Sequence, residues 1–459
     1  MTTTHGMTGA GRSAFTAQAA ISRRGLLGGA LGVAAAAGLA GCGAGSSGAP
    51  GQQQSVAGGG GAEEYKGPNV ELAFWNGLTG GDGPIMQKLV DNFNKEHPTI
   101  KVRQTRIAWA DFYQKVPAAV SNGKAPDIAI MHADTLATNA ARQVVQPLDD
   151  VATALKLTQA DFAEIAWNGG IYKDKRYGLP LDIHPAGFYY NQTVMQKAGL
   201  DPEKAPTTGD ELMTMLDACK SKGIQGMWTS AVNANDLPGQ TLLYQFGGAM
   251  VNADGGSVGW DGEAGVKAIN WLKALVENGH SPKNAADDGP SAAFQSDKAA
   301  FMINGPWMTT PLSENKKLKW KAAPVPNIGG TQATWAGSHQ FTLPRQIKPD
   351  ENKQIASRVF VNWISQQSLL WADAGMVPAR NEVRDSPEFA KKGAVTEFAK
   401  ELDYIRFVPP VPGAADQRPE WDIAVSKAML GKQDVAAALA EGGQKANKIL
   451  AANKKKYGG

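Results

Sequence analysis

Hydrophobic and polar positions over residues 70–131 switch repeatedly between a two-residue period and a period of three to four residues. The pattern predicts strands at 70–75, 100–104 and 127–131, with helices over 84–97 and 112–121 between them. Pro84 suits the first turn of one helix, whereas Pro117 lies inside the other. Strands that alternate with helices in this order indicate a parallel sheet flanked by helices.

Polar and aromatic residues follow two of these strands. Trp75 and Asn76 come at the end of the first strand, and His132 and Asp134 come at the end of the third. In open α/β sheets the ligand binds beyond the carboxyl ends of the strands. We therefore expect these side chains to converge on one rim.

Helical spacing continues in the later part of the chain. It predicts helices at about 209–221, 262–278, 352–371 and 421–440. Thr208 or Asp210 is placed to cap the first of them. A chain of 459 residues is too long for one typical core, so we expect two lobes.

The first 42 residues have the layout of an export signal. An arginine pair at 23–24 precedes an apolar, glycine-rich run over 25–41, which is too short for a good spanning helix of about 20 apolar residues. The pair resembles a twin-arginine signal, and the sequence LAGC at 39–42 resembles a lipoprotein box. In such a box Cys42 is lipidated and becomes the first mature residue. An ordinary cleaved signal, with Cys42 incidental, is the alternative.

The segment that follows has the composition of a flexible tether. Residues 43–62 are almost all Gly, Ala, Ser and Gln, and we place the tether at 43–67. The lipid on Cys42 would carry two acyl chains. Two chains anchor a protein stably in a membrane, whereas a single chain binds only weakly and reversibly. We therefore expect an exported protein held at the outer face of the cytoplasmic membrane through lipid on Cys42.

Charge and cysteine content exclude several functional classes. Three arginines are the only charged residues before Cys42, so the mature chain has equal numbers of acidic and basic side chains. A nucleic-acid partner would need a basic surface, so none is expected. Cys219 is then the only other cysteine; we expect it to be buried, without a disulfide. No two of the six histidines have ligand spacing, and nucleotide and nucleophile motifs are absent, so neither a metal nor a cofactor is expected.

Tryptophan is the chemical clue, since all twelve tryptophans lie in the mature chain. A pyranose has an apolar face that an indole covers, and hydroxyls that need partners because a buried unpaired group costs about 1–3 kcal/mol. A single tryptophan is more often a core residue, which is our interpretation of Trp271 and Trp363. For Trp109, a pocket wall and a lobe core both remain open.

Six short motifs occur in the order found in one known family. They are FWNG at 74–77, APDI at 125–128, YGLP at 177–180, YYN at 189–191, PTT at 206–208 and AFMINGPW at 300–307. From about 69 to 442 the chain thus resembles the extracellular solute-binding proteins of ABC importers, in particular the sugar-binding group typified by maltodextrin-binding protein. The resemblance implies an α/β, two-lobed periplasmic-binding-protein fold of type II, with three hinge crossings and a ligand cleft between the lobes.

The same resemblance implies the extent of the lobes and the partners. The N-terminal lobe comprises 68–180 and 338–371, and the C-terminal lobe comprises 181–337 and 372–459. The crossings fall near 179–184, 335–341 and 372–378, each with Gly or Pro suited to a hinge. A monomer that delivers carbohydrate to the transmembrane subunits of an ABC permease is implied.

The resemblance also implies roles for particular residues. Trp307, Trp421 and Trp228 match aromatic residues that stack on sugar rings. Asp134 matches a carboxylate that bonds sugar hydroxyls, and His184 stands where the relative has a hinge-side carboxylate. The full predicted ligand-binding set is Trp75, Asn76, Asp134, Asp182, His184, Trp228, Trp307, Trp335, His339 and Trp421.

Two other functions remain open. A secreted glycoside hydrolase needs two carboxylates about 5 or 6.5–9.5 Å apart; Asp134 and Asp182 are candidates, although nothing in their context singles them out. Alternatively, the same fold holds a solute that is not a sugar. Met131 stands where the maltodextrin binder has a tryptophan, which argues against a maltodextrin. We expect a binding protein, not an enzyme, that releases its solute chemically unaltered.

Overall fold

The structure, a computed structural model, describes residues 64–458. The predicted signal, the lipidation site Cys42 and most of the tether lie outside these residues. The strands are β1 (Val70–Asn76), β2 (Ile100–Arg106), β3 (Ile128–His132), β4 (Ile171–Tyr172), β5 (Lys175–Arg176), β6 (Leu179–Pro180), β7 (Asp182–Pro185), β8 (Gly187–Asn191), β9 (Phe301–Asn304), β10 (Trp320–Ala323), β11 (Thr334–Gly337), β12 (His339–Thr342), β13 (Val377–Pro378) and β14 (Ile405–Arg406).

Helices cover these strands and carry most of the remaining chain. They are α1 (Asp82–Glu96), α2 (Trp109–Ser121), α3 (Ala133–Ala141), α4 (Asp149–Ala154), α5 (Glu164–Asn168), α6 (Gln192–Lys197), α7 (Gly209–Ser221), α8 (Ala231–Asn235), α9 (Leu237–Gln245), α10 (Glu263–Glu277), α11 (Gly289–Gln295), α12 (Thr309–Glu314), α13 (Glu351–Gln366), α14 (Ser368–Trp371), α15 (Asn381–Arg384), α16 (Ala394–Ala399), α17 (Arg418–Met429) and α18 (Val435–Tyr457). Within 64–458, no helix combines the length and apolar character needed to cross a bilayer.

The first sheet has five strands in the order β2-β1-β3-β12-β6. Strand β1 pairs in parallel with β2 and β3, while β12 pairs antiparallel with β3 and β6. The predicted parallel arrangement of the first three strands is therefore confirmed. Helix α2 continues through Pro117, and buries Phe112, Val116 and Val120 on one face.

A second, antiparallel sheet has the order β10-β8-β9 and its own apolar core. Helices α7, α9, α10, α17 and α18 contribute buried side chains to this core, among them Leu216, Leu242, Leu272, Val425 and Leu439. Cys219 of α7 is part of the same core, as predicted, and burial raises the pKa of its thiol to about 11.

The third sheet, in the order β13-β7-β11-β14, lies where the chain passes between the other two sheets. The continuous segment 179–191 contributes β6 to the first sheet, β7 to the third sheet and β8 to the second sheet. The chain returns through β11 of the third sheet into β12 of the first, and β13 follows α14. These passages coincide with the three predicted crossings. The exact bounds of the two lobes remain a prediction.

Several helix boundaries differ from the sequence pattern. The single helix predicted over 421–440 is wrong, because Gly431 adopts a φ of 65° and ends α17. Asp434 then begins α18 by accepting a hydrogen bond from the Ala437 N–H at 3.1 Å. Thr208 caps α7 as predicted, and its hydroxyl oxygen accepts from the Glu211 N–H at 3.2 Å.

One carboxyl group in the core makes folding stability depend on pH. The Oε1 atom of Glu401 accepts hydrogen bonds from the Val325 N–H and the Thr334 hydroxyl, both at 2.9 Å, whereas Oε2 has no partner within the described chain. Burial raises the pKa of Glu401 to about 8, although both hydrogen bonds lower it. The pKa of a glutamate in an unfolded chain is about 4.3. Between that pH and the folded-state pKa, the folded state keeps a proton that the unfolded state has lost. Stability contributed by this group therefore falls as the pH rises between these values.

We predict that E401Q abolishes this part of the pH dependence, because glutamine keeps an acceptor oxygen and cannot ionise. The free energy of unfolding of the variant should exceed that of the parent above about pH 8 and should not exceed it near about pH 4. Urea denaturation at a series of pH values measures both. A constant difference between variant and parent across this range would contradict the assignment.

Candidate functional site

A buried carboxylate lies where the three crossings meet. Asp182 of β7 has no solvent exposure and accepts four hydrogen bonds. Its Oδ1 atom accepts from the backbone N–H of His339 at 2.9 Å and from Nδ1 of His184 at 3.1 Å. Its Oδ2 atom accepts from Nδ1 of His339 and from Nε1 of Trp371, both at 2.7 Å. Since these donors lie on the first crossing, on the second crossing and at Trp371, just before the third, one side chain links the regions of all three.

Three imidazole rings lie together beside this carboxylate. The ring centroids of His184 and His339 are 4.4 Å apart, and His132 lies 5.0 Å from His339 and 5.8 Å from His184. His132 is directly opposite His339 in the β3–β12 pair. One ring nitrogen of each histidine lies within 4.8 Å of one from each of the others. The sequence-based expectation that no histidine cluster exists is therefore wrong, because residues far apart in the chain become neighbours only on folding.

Burial and mutual repulsion determine which of these groups carries charge. Burial lowers the pKa of His132 and of His184, and the charge of His339 lowers both further. Burial also acts to lower the pKa of His339, but the Asp182 carboxylate outweighs it, so this pKa is raised. Burial would raise the pKa of Asp182, yet the charge of His339 and hydrogen bonds from both histidines lower it. The ionised pair is thus Asp182 with His339.

Two predicted tryptophans contact the cluster. The ring of Trp335 lies 5.8 Å from that of His184, and the ring of Trp307 lies 6.3 Å from it. Both indoles are half-buried, so each keeps accessible surface. A Cβ atom on Gly305 would lie 2.2 Å from the Trp307 ring, so only glycine lets the indole take this position.

Trp109 and Tyr113 of α2 complete the cluster, and the sequence reasoning did not assign them. The Trp109 ring lies 4.2 Å from His132 and is stacked 5.9 Å from His339, while it also packs on Phe112. It is therefore both a wall of the cluster and a core residue. The Tyr113 hydroxyl lies 2.8 Å from Nδ1 of His132 and accepts from its backbone N–H at 3.0 Å. One feature of the sequence pointed to this cluster: His132 ends the third predicted strand, at the rim where the ligand was expected.

Asp134 lies in a separate polar group. Its Oδ1 atom and the Tyr244 hydroxyl are both buried without a hydrogen-bond partner in the described chain. Burial raises the pKa of Asp134, and the charge of Arg418 lowers it. Burial also raises the pKa of Tyr244, to which the Asp134 charge adds. Buried polar atoms without partners are rare in proteins, so each calls for an explanation.

The remaining polar and aromatic predictions occupy different surroundings. Asn76 is buried; its Oδ1 accepts from the Leu78 N–H at 3.3 Å, and its Nδ2 is unpartnered within residues 64–458. Trp75 is half-buried and packs on the same small apolar cluster as Trp109. Trp228 is half-buried near Gly289 with a buried, unpartnered Nε1, and none of its described ring contacts reaches the histidines.

Two residues of the predicted set differ from their expected roles. Trp421 of α17 is fully buried, lies 5.5 Å from Trp260 in an edge-to-face contact, and donates from Nε1 to the Asn235 carbonyl at 2.6 Å. It is a core residue with no face left for a sugar, so the stacking role is wrong for this structure. Asp182 holds histidines through its two oxygens and has no role as an exposed ligand contact.

A groove of about 700 Å³ has chain neighbours of the cluster in its lining, although no histidine or tryptophan lines it. Its lining includes Ala133, which follows His132, and Arg406, which is paired with Trp335 across β11 and β14. This volume is in the range of about 300–1,000 Å³ that small-molecule sites occupy. A different cavity of about 890 Å³ lies between Tyr190, Trp320 and other residues outside the predicted set.

The sequence profile of the family described as bacterial extracellular solute-binding protein matches residues 76–367. The chain belongs to this family. A binding protein of Brucella abortus is 23% identical over 380 residues, which cover 80% of this chain and 90% of that protein. The lactose-binding protein of Rhizobium radiobacter is 23% identical over 359 residues, covering 74% and 83% respectively.

Solved structures show the fold of this solute-binding protein directly. The GacH receptor of Streptomyces glaucescens, a structure described without ligand and with acarbose, superimposes with a TM-score of 0.73 at 25% identity, covering 83% of this chain and 98% of the receptor. The predicted α/β, two-lobed fold with a cleft between the lobes is therefore confirmed.

Polar contacts in this solute-binding protein also bridge segments that the prediction assigns to different lobes. The Gly413 N–H donates to the Thr138 hydroxyl oxygen at 3.0 Å. Lys173 donates to the carbonyl of Tyr457 at 2.6 Å. These contacts hold α3 and the β4–β5 hairpin against the C-terminal part of the chain.

We predict that D182A lowers the free energy of unfolding by about 3–5 kcal/mol, because removing one member of a buried ionic network leaves its partners unpaired. Urea denaturation of parent and variant measures this loss. The control is D111A, which removes an exposed carboxylate that pairs only with Lys115 one turn away. A loss for D182A no larger than that of the control would show that Asp182 does not organise the crossings.

Proposed function

We propose that the chain is the substrate-binding component of a carbohydrate ABC importer and that it holds a sugar or oligosaccharide against the indoles beside the histidine cluster. One observation carries the proposal: the half-buried indoles of Trp307 and Trp335 flank the buried ring of His184, beside the histidine cluster. An apolar surface combined with a few well-placed polar groups is what a ligand pocket requires.

The chemistry of a sugar matches both parts of this arrangement. Its C–H face covers an indole, and burial of apolar surface contributes about 25 cal/mol per Å². Its hydroxyls donate and accept, so they supply partners for Asn76 Nδ2, Asp134 Oδ1 and the Tyr244 hydroxyl. Trp228 Nε1 is a further donor of this kind. In this proposal Trp75, Trp109, His184 and His339 contribute further contacts to the solute.

Relatives support a sugar as the solute class. One curated relative is a lactose-binding protein, and the superimposed receptor is described in complex with acarbose. These ligands belong to those proteins. We therefore propose the class of solute and leave its length and linkage to the experiment.

Solute binding in this proposal stabilises a closed arrangement of the two lobes, with bounds at 68–180 plus 338–371 and 181–337 plus 372–459. Closure is a hinge motion at the crossings, driven by contacts of the solute with both lobes. The closed monomer then delivers its solute to the permease. Lipid on Cys42 would hold it at the outer face of the cytoplasmic membrane by a tether over 43–67.

We propose binding without catalysis. A glycosidase would need a second carboxylate opposite Asp134, and Asp182 already accepts four hydrogen bonds from the protein. Neither oxygen of Asp182 is available as a nucleophile or a base. The solute is therefore released unchanged.

We predict that a sugar identified by a thermal-shift screen of mono- and oligosaccharides raises the melting temperature, since a ligand that binds only the folded state stabilises it. W307A should weaken its binding by at least about tenfold, which corresponds to about 1.4 kcal/mol of lost ring contact. Calorimetric titration measures the affinity. The matched control is W271A, which removes a half-buried indole of α10 that packs against the core around the second sheet.

Equal affinity in W307A and W271A would remove Trp307 from the site. Incubation of the protein with the same sugar, followed by product analysis, tests the absence of catalysis. Turnover would overturn the binding-protein assignment.

A further inference from the structure

The histidine cluster has the composition of a metal site. We propose that His132, His184 and His339 bind one divalent transition-metal ion of the zinc type through their Nε2 atoms, with one coordination position left open. Imidazole nitrogen is a preferred ligand of zinc, copper and nickel, and three protein ligands with one open position are usual where a metal also binds an exogenous group. This inference does not rest on the proposed sugar ligand.

The spacing of the rings fits such an ion. A tetrahedral metal bound at about 2.0–2.1 Å by each ring nitrogen places the ring centroids about 5 Å apart. The three centroid separations are 4.4, 5.0 and 5.8 Å. One nitrogen from each ring already lies within 4.8 Å of the others.

The second layer of hydrogen bonds directs Nε2 to the metal. Asp182 accepts from Nδ1 of both His184 and His339, which places a proton on Nδ1 of each ring, and the charged ring of His339 releases its Nε2 proton to solvent when the metal binds. The Tyr113 hydroxyl lies 2.8 Å from Nδ1 of His132 and has a second lone pair to accept its proton. A carboxylate behind the ligating imidazole is the usual support of a metal-bound histidine. No described hydrogen bond engages the Nε2 atom of any of the three rings.

The backbone leaves room at one of these atoms. Gly337 is paired with His184 across β7 and β11, and a Cβ atom at this position would lie 2.4 Å from Nε2 of His184. Any other residue would block the nitrogen. Gly337 therefore leaves space beside Nε2 of His184. This nitrogen is available to a metal because the hydrogen bond to Asp182 uses Nδ1 instead.

Indole rings supply the surroundings of this site. Trp109 covers His132 and His339, and Trp307 and Trp335 flank His184. An exogenous oxygen that reaches the open position would therefore be surrounded by indoles. Water fills this position when no other ligand is present.

The test is a metal titration of the full chain, stripped with a chelator and purified without a polyhistidine tag. Zn²⁺ binding is measured by calorimetry, and Co²⁺ is added separately because its visible spectrum reports ligand number and geometry. Protons compete for the same nitrogens, so all titrations are run at one fixed pH. We expect one equivalent of Zn²⁺ and an intense Co²⁺ spectrum typical of four or five ligands.

H184A should lower the affinity at least about 100-fold, because loss of a supporting group alone costs about 10–100-fold. Y113F removes only a hydroxyl and should cost about 10–100-fold with an altered Co²⁺ spectrum. If H184A fails to fold, the affinity of Y113F for the metal still tests the proposal. H97A is the control, since His97 stacks on Phe93 away from the cluster.

Absence of a stoichiometric Zn²⁺ site in the parent overturns the proposal. So does parental affinity in both H184A and Y113F. No sugar is present in these titrations, so their failure and the failure of the saccharide screen are separate results.

Discussion

The structure depends on one buried carboxylate that three chain crossings share. Asp182 accepts hydrogen bonds from His184 beside it, from His339 on the second crossing and from Trp371 just before the third. A buried charge is tolerated only when it is paired and its lone pairs are filled, and all four donors are needed for that. The same bonds that neutralise the carboxylate therefore fix where the three strands of the hinge meet.

The position of this carboxylate also explains the chemistry around it. Asp182 fixes the rings of His184 and His339 through their Nδ1 atoms. In these positions His339 contacts the ring of Trp109, and His184 contacts the rings of Trp307 and Trp335. Burial, and then repulsion by the charge of His339, lower the pKa of His132 and His184, so two of the three rings are favoured as neutral donors and acceptors with aromatic walls. A hinge with polar groups at its pivot and indoles at its edge is suited to hold a solute that both lobes contact.

Sequence reasoning predicted the local elements and the fold, because strand and helix periods are local properties. It placed β1, β2 and β3 correctly, and Thr208 as a cap, but missed the break at Gly431, where a single residue with positive φ ends a helix.

The site was predicted less well. His132 is 207 positions from His339 along the printed chain, and only the β3–β12 register makes them neighbours. Trp421 failed because burial of an indole depends on packing by distant helices.

The most direct measurement is a crystal structure of the protein grown with a saccharide that stabilises it in solution. The account predicts a sugar ring in contact with Trp307 or Trp335, at the edge of the cluster that Asp182 organises. A saccharide bound in the cavity beside Tyr190 and Trp320, with the groove and cluster untouched, would contradict it.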